Sequence, residues 1–171
     1  MEDQIRCQDR LGYALGLAGG LIALLLSPNL AFSHPINMDA ICKIESNCNP
    51  RAISYRGAEF GRGLYQISEL ALFDFKKSPE VKAVIMKDDS YLDTSELEPI
   101  DLFIPEINEH IASWYLNDEI PRLLNHFKNL VNTKNILIAY NCGIECVTKG
   151  KIPKETRNYL KKYEDLTGEK L

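Results

Sequence analysis

The chain has no surplus of positive charge, no internal repeat, no low-complexity tract and no apolar run of membrane-spanning length. With 20 Lys and Arg against 24 Asp and Glu, its formal net charge is −4. A general nucleic-acid binder carries a basic stripe, so that class is set aside. The longest apolar stretch, residues 11 to 26 ("LGYALGLAGGLIALLL"), is sixteen residues, shorter than the ~20 that a spanning helix needs. The missing C-x2-C spacing argues against a zinc ribbon: Cys42 and Cys48 stand as C-x5-C, Cys142 and Cys146 as C-x3-C. Strand-type alternation is scarce. What is present is 45% hydrophobic and 26% charged residues over 171 positions, the composition and length of one globular domain.

The short apolar run is followed by "SPNLAFS", where Ala31 and Ser33 form a small-x-small pattern before His34. Residues 1–33 are therefore expected to be a signal peptide, and residues 34–171 the exported domain. The leader "MEDQIRCQDR" is a poor n-region, and retention as an anchor is the alternative. Cleavage leaves a formal charge of −3 and four cysteines, Cys42, Cys48, Cys142 and Cys146. An even cysteine count in an exported chain predicts disulfides, with local pairing and pairing between the two segments both open.

The exported part reads as all-α. Asn37 caps a helix from Met38 to about Ser46, which Asn47, Asn49 and Pro50 end. Residues 51 to 62 read as a loop, and residues 64 to 77 resume apolar periodicity. Residues 78 to 99 read as a short helix and a surface insertion. Pro105 starts a helix carrying Ile107, Ile111, Trp114 and Tyr115, and another starts at Ile120–Pro121. Thr133 is expected to cap "KNILIAYN", which stops at Gly143, and a last helix begins near Glu155. Six or seven helices make a small helical domain.

One carboxylate stands out. Glu45 lies in the last turn of its helix, where the negative end of the dipole disfavours an anion. A carboxyl held protonated in this way suits a general acid. Around it the chain reads "ESNCNPRAIS", "GRGLYQIS", "LFIPEIN…ASWYL", "IAYNCG" and "ETRNYLKKY", in that order. In order and separation these stretches resemble the transglycosylase SLT domain, the lysozyme-like fold of lytic transglycosylases. Its usual pattern runs E-S-x-F-N-P-x-A-x-S, G-L-M-Q-I, D-P-x-x-N, A-Y-N-A-G and E-T-x-x-Y. The likeness spans residues 40 to 163.

The resemblance implies a lysozyme-like helical domain with a saccharide-binding groove and Glu45 as its catalytic acid/base. Ser54 would orient the Glu45 carboxyl through a hydrogen bond, and Gln66 would line the groove. Tyr140 and Asn141 would face Glu45 and contact sugar, and Tyr159 would pack near the acid. Residue by residue, bland roles compete: a turn for Ser54, a helix stop for Asn141, core packing for the tyrosines.

The chain also departs from the pattern. Cys48 replaces an aromatic, Cys142 an alanine, and Tyr65 a methionine, and a Cys48–Cys142 bridge across the active site is one possible pairing. "GAEFGRGLYQ" is a few residues longer than the family form and brings Glu59 toward the site, similar to the extra acid of goose-type lysozymes. The implied reaction is a one-acid cleavage of peptidoglycan that closes a 1,6-anhydro ring on the muramic acid. Hydrolysis as a muramidase, with Glu59 as second acid, is the alternative, and a catalytically silent glycan-binding module is another. No metal or organic cofactor is indicated. The expected partner is the peptidoglycan glycan strand in the periplasm or outside the cell. By analogy with other small enzymes of this kind, it extends to a secretion, pilus or conjugation complex. Nucleic acid is not expected, nor membrane once the signal is cleaved.

Overall fold

Seven α-helices and two small hairpins follow one another in a computed structural model that describes residues 36 to 171, apart from 57–58, 80, 82 and 87–89. The side chains of Arg56, Glu59 and Ile85 also fall outside the description. The described residues belong to one unit, Phe32–Leu171. The leader expected over residues 1–33 lies outside them.

Helix α1 (Met38–Ser46) begins where the Asn37 side chain accepts the Ala40 N–H at 3.0 Å. The hairpin β1 (Ile53–Arg56) and β2 (Glu59–Arg62) comes next, with Ser54 opposite Gly61 and Tyr55 opposite Phe60. Ser68 caps α2 (Glu69–Lys77) by accepting the Ala71 N–H. A second hairpin, β3 (Ala83–Ile85) and β4 (Tyr91–Asp93), leads through two short 3-10 turns to α3 (Pro105–Trp114). Then come α4 (Ile120–His126), α5 (Thr133–Cys142), α6 (Ile144–Thr148) and α7 (Lys154–Thr167).

The core is built where helices need no polar face. In α5 the run Ile136, Leu137, Ile138 and Ala139 is buried on all sides, as expected of a helix apolar all round. Helices α4, α6 and α7 pack against it, and α7 also packs against α1. From α7, Tyr159, Leu160 and Tyr163 enter the core, and each such side chain contributes roughly 1.5–3 kcal/mol on leaving water. The Tyr163 hydroxyl also accepts the Asn37 N–H at 3.0 Å, tying the start of α1 to α7.

Helices α3 and α4 form one continuous path. The turn between them, Tyr115–Glu119, is a π-turn in which the Ile120 N–H reaches the Tyr115 carbonyl. Pro121 explains the change of register: it has no N–H to continue the regular ladder. The break expected at Ile120–Pro121 is thus a change of hydrogen-bond spacing within a helix.

The helical reading holds, with three corrections. Residues 51 to 62 hold a hairpin and not a loop, with Ile53–Arg56 paired antiparallel to Glu59–Arg62 and Ile53, Tyr55 and Phe60 supplying strand-forming side chains. Within 78 to 99 no α-helix forms among the described residues; the segment holds the second hairpin and a 3-10 turn. The cap of α5 is Asn132, whose side chain accepts the Asn135 N–H at 2.8 Å, and Thr133 is the first helical residue.

Candidate functional site

The end of α1 is shaped by its capping residues. Asn47 and Cys48 both have left-handed backbones, with φ of 55° and 56°, so the chain reverses immediately after Glu45 and Ser46. Asn tolerates this conformation better than most residues; Cys does not. Cys48 is tied back by a disulfide to Cys42, six residues earlier and buried on α1. The Ser46 hydroxyl donates to the Leu64 carbonyl at 2.7 Å, fastening the same turn to the segment after β2.

That segment is held from the opposite side by Asn108, a fully buried polar residue on α3. Its Oδ1 accepts the Tyr65 N–H at 2.8 Å, and its amide donates to the carbonyls of Arg62 and Leu102 at 2.9 and 2.8 Å. Gly63 is required at this crossing. Its φ is +74°, and a Cβ there would stand 2.2 Å from the Leu102 carbonyl oxygen. Gln66 follows with a left-handed backbone, φ 54°. Its amide donates to Gly63 O and Ala52 O at 2.8 and 3.3 Å, so its buried Oε1 is turned away and has no hydrogen-bond partner. A buried acceptor in this state is available to a donor brought by a ligand.

On the facing wall, the Tyr140 hydroxyl donates to the Tyr65 carbonyl at 2.6 Å. Asn141 Oδ1 accepts from the buried Thr156 hydroxyl at 2.8 Å, which fixes the direction of its amide. Cys142, next along α5, is bridged to Cys146 on α6. Both disulfides are therefore local pairs, one on each side of the cleft, and the cross-cleft Cys48–Cys142 pairing is not formed. The paired cysteines are six and four residues apart in sequence, and the chain turns at the helix ends bring their Cα atoms to 4.9 and 6.1 Å, within bridging distance. Burial holds the Tyr65 phenol well above its ordinary range, to about 12, with Glu109 and Asp39 adding to the shift. Tyr65 is therefore neutral at ordinary pH.

These walls enclose a cleft of about 380 Å³ lined by Glu45, Gln66, Tyr115, Tyr140 and Asn141, with Gly61, Ile67, Ser68, Leu70, Ala71, Ala139, Cys142 and Gly143. Among the described residues that line it, Glu45 is the only carboxylate or other charged side chain. On the other side of Glu45 a second recess of about 330 Å³ is lined by Ile44, Asn141, Glu155, Asn158, Tyr159 and Lys162. Glu45 and Asn141 are common to both.

The structure thus gathers Glu45, Gln66, Tyr140, Asn141 and Tyr159 around one groove. Ser54 is not among the lining residues: its Oγ is buried without a hydrogen bond, so the expected Ser54–Glu45 bond is not made. Glu59 opens β2, the strand whose Gly61 lines the cleft, and its side chain falls outside the described residues. Among the described residues there is no cluster of three His, Cys, Asp or Glu that could hold a metal ion, and no helix long and apolar enough to cross a membrane.

Four contributors carry no role in the sequence reading: Ser46, Asn108, Tyr115 and Thr156. Asn108 and Thr156 had a visible signal, since each is a polar residue on an otherwise apolar helix face, beside Ile107 and Ile111 or beside Tyr159, Leu160 and Tyr163.

The order of these motifs and the groove they form agree with comparison against protein families, in which residues 34–163 match the model of the transglycosylase SLT domain. Comparison with curated proteins and with solved structures returns no match. The match covers most of the chain, which therefore belongs to the transglycosylase SLT domain family, whose activity is of the peptidoglycan lytic-transglycosylase type.

Proposed function

We propose that the protein cleaves the β-1,4 bond between N-acetylmuramic acid and N-acetylglucosamine, with Glu45 as the single acid/base. The observation that carries this reading is the place of Glu45 at the junction of two recesses, where a strand lying along both would pass its carboxyl. Glu45 donates its proton to the glycosidic oxygen and the C1–O bond breaks, releasing the N-acetylglucosamine hydroxyl. The muramic acid is left as an oxocarbenium-like species stabilised by its own N-acetyl group. The ionised Glu45 then takes the proton of the C6 hydroxyl, whose oxygen bonds to C1 and closes the 1,6-anhydro ring. The acid is regenerated and no water is consumed.

The cleft lining supports this route because Glu45 is the only carboxylate among the described residues that line it, whereas inverting or glycosyl-enzyme hydrolysis ordinarily uses two. The Gln66 Oε1 offers an acceptor for a sugar hydroxyl or amide. We further propose export, with residues 1–33 removed, so that the N-terminal sequence of the secreted protein begins at His34.

Two measurements test the reading. Glu45→Gln is expected to lower muralytic activity by at least about 100-fold, the usual worth of a general acid. Unchanged activity would remove Glu45 from the mechanism, and a wild-type protein that binds glycan without cleaving it would make the protein a binding module. Mass spectrometry of digested peptidoglycan is expected to show 1,6-anhydromuropeptides. Products with reducing ends only would assign hydrolysis and turn attention to Glu59.

A further inference from the structure

A third recess, of about 610 Å³, lies one helical turn beyond the cleft along the same two elements. On α2, Leu70 and Ala71 line the cleft and Asp74 lines the recess; on the opposite wall Tyr115 lines the cleft and Trp114, Asp118 and Glu119 line the recess. Positions three and four apart on a helix share a face, so the groove continues in this direction.

Its chemistry changes sharply on the way. The cleft wall here is Leu, Ala and Tyr, whereas the recess carries three acids, Asp74, Asp118 and Glu119, against Lys77 and Arg122. The two cations are partly committed. Arg122 forks onto Glu119 through two hydrogen bonds of 2.8 and 2.6 Å, and the Lys77 ammonium sits 3.9 Å from the centre of the Phe73 ring. Asp74 is half-buried and makes no hydrogen bond or ion-pair contact among the described residues. Burial, and after it the nearby Glu119, push its carboxyl above the ordinary range, and the more distant charges of Lys77 and Arg122 offset this only in part. Trp114, 7% exposed, adds an apolar aromatic wall.

We propose that this recess binds the stem peptide of the peptidoglycan strand, taking the side-chain ammonium of its diamino acid on Asp74 and its methylene chain against Trp114. A surplus carboxylate beside an aromatic wall suits an ammonium at the end of an aliphatic chain. A neutral sugar would leave Asp74 without a direct ion-pair contact. This inference rests on the proposed glycan strand in the cleft; it makes the protein a reader of peptide substitution as well as of sugar.

Trp114 is the only tryptophan in the chain, so its fluorescence reports on the recess without using catalysis. The full protein would be titrated with a soluble Ala–Glu–Lys–Ala stem tetrapeptide, with the same peptide acetylated on the lysine side chain, and with an N-acetylglucosamine oligomer. The lysine peptide is expected to give a saturable change. Acetylation of the peptide, or Asp74→Asn in the protein, is expected to weaken it about tenfold, the worth of one charge-assisted contact. Equal affinity for the acetylated peptide, no loss in Asp74→Asn, or a tryptophan response to the sugar oligomer alone would overturn the proposal. Glu45→Gln is expected to bind the peptide as the wild type does. A wall digest containing anhydro products alongside absent peptide binding would reject this site and leave the proposed reaction standing; peptide binding without any cleavage would do the reverse.

Discussion

Asn108 has no solvent exposure and commits its side chain to three backbone groups, one before Gly63, one after it, and one at Leu102. Replacing it with Ala would leave a buried N–H and two buried carbonyls without partners. At roughly 1 kcal/mol for each net hydrogen bond, Asn108→Ala is expected to cost about 3 kcal/mol, measurable by urea unfolding. Gly63→Ala is expected to cost at least as much, because a clash with the Leu102 carbonyl adds to an unfavourable φ. The same residues mark what single positions reveal in a sequence. Glu45, Gln66, Tyr140, Asn141 and Tyr159 are legible because each belongs to a motif with a chemical reason attached. Asn108 closes the stretch "IPEIN", in the place of the Asn of D-P-x-x-N, so its presence is visible, but its role depends on partners 43 and 46 residues away that the motif does not name. Ser54 is the opposite case: the motif gives it a partner, and the folded hairpin does not.

At the scale of elements, the helices were readable from caps, prolines and apolar spacing, and the hairpins were not. Strands of three or four residues have too few alternating positions to register, and β1–β2 leaves Ile53 and Tyr55 exposed where a core-facing pattern would bury them. Four cysteines allow three pairings, which the sequence leaves open, and the chain turns at the helix ends select the local one. The Cys42–Cys48 bridge closes the turn that carries Glu45, and Cys142–Cys146 closes the α5–α6 junction beside Tyr140 and Asn141. Short loops of this kind constrain the unfolded chain by about 2 kcal/mol each. Cys42→Ser with Cys48→Ser is therefore expected to lower the melting temperature by about 6 °C for a domain of this size, and so is Cys142→Ser with Cys146→Ser. Calorimetry of the two double variants checks this. Because Cys48 has a left-handed backbone, the first pair is expected also to reduce turnover, and the assay should separate the two variants at matched folded fractions.

For the whole molecule, charge is distributed unevenly along the groove. Among the described residues, the recess beside Tyr159 carries Glu155 and Lys162 besides the shared Glu45, the central cleft carries only Glu45, and the recess beyond α2 carries a surplus of acid. Uncompensated charge placed for a ligand costs stability in its absence, and pH reveals that cost. The folded-state pKa of Asp74 is raised above its ordinary value of 3.8, by burial first and then by Glu119. Between the ordinary value and the raised one, the folded protein holds a proton that the unfolded chain has released. Stability therefore falls as pH rises through that window and stays lowered above it. Asn cannot ionise, so Asp74→Asn escapes the loss. Its melting temperature is expected to exceed that of the wild type at neutral pH, with the difference shrinking toward zero as the pH is lowered to about that ordinary value. Thermal melts across a pH series check the sign and the window together. A difference that stayed constant with pH would trace to packing and not to charge. A stem peptide bound to the wild type should close the same gap from the other side, since a ligand ammonium supplies a direct ion pair that Lys77 and Arg122 do not make with Asp74.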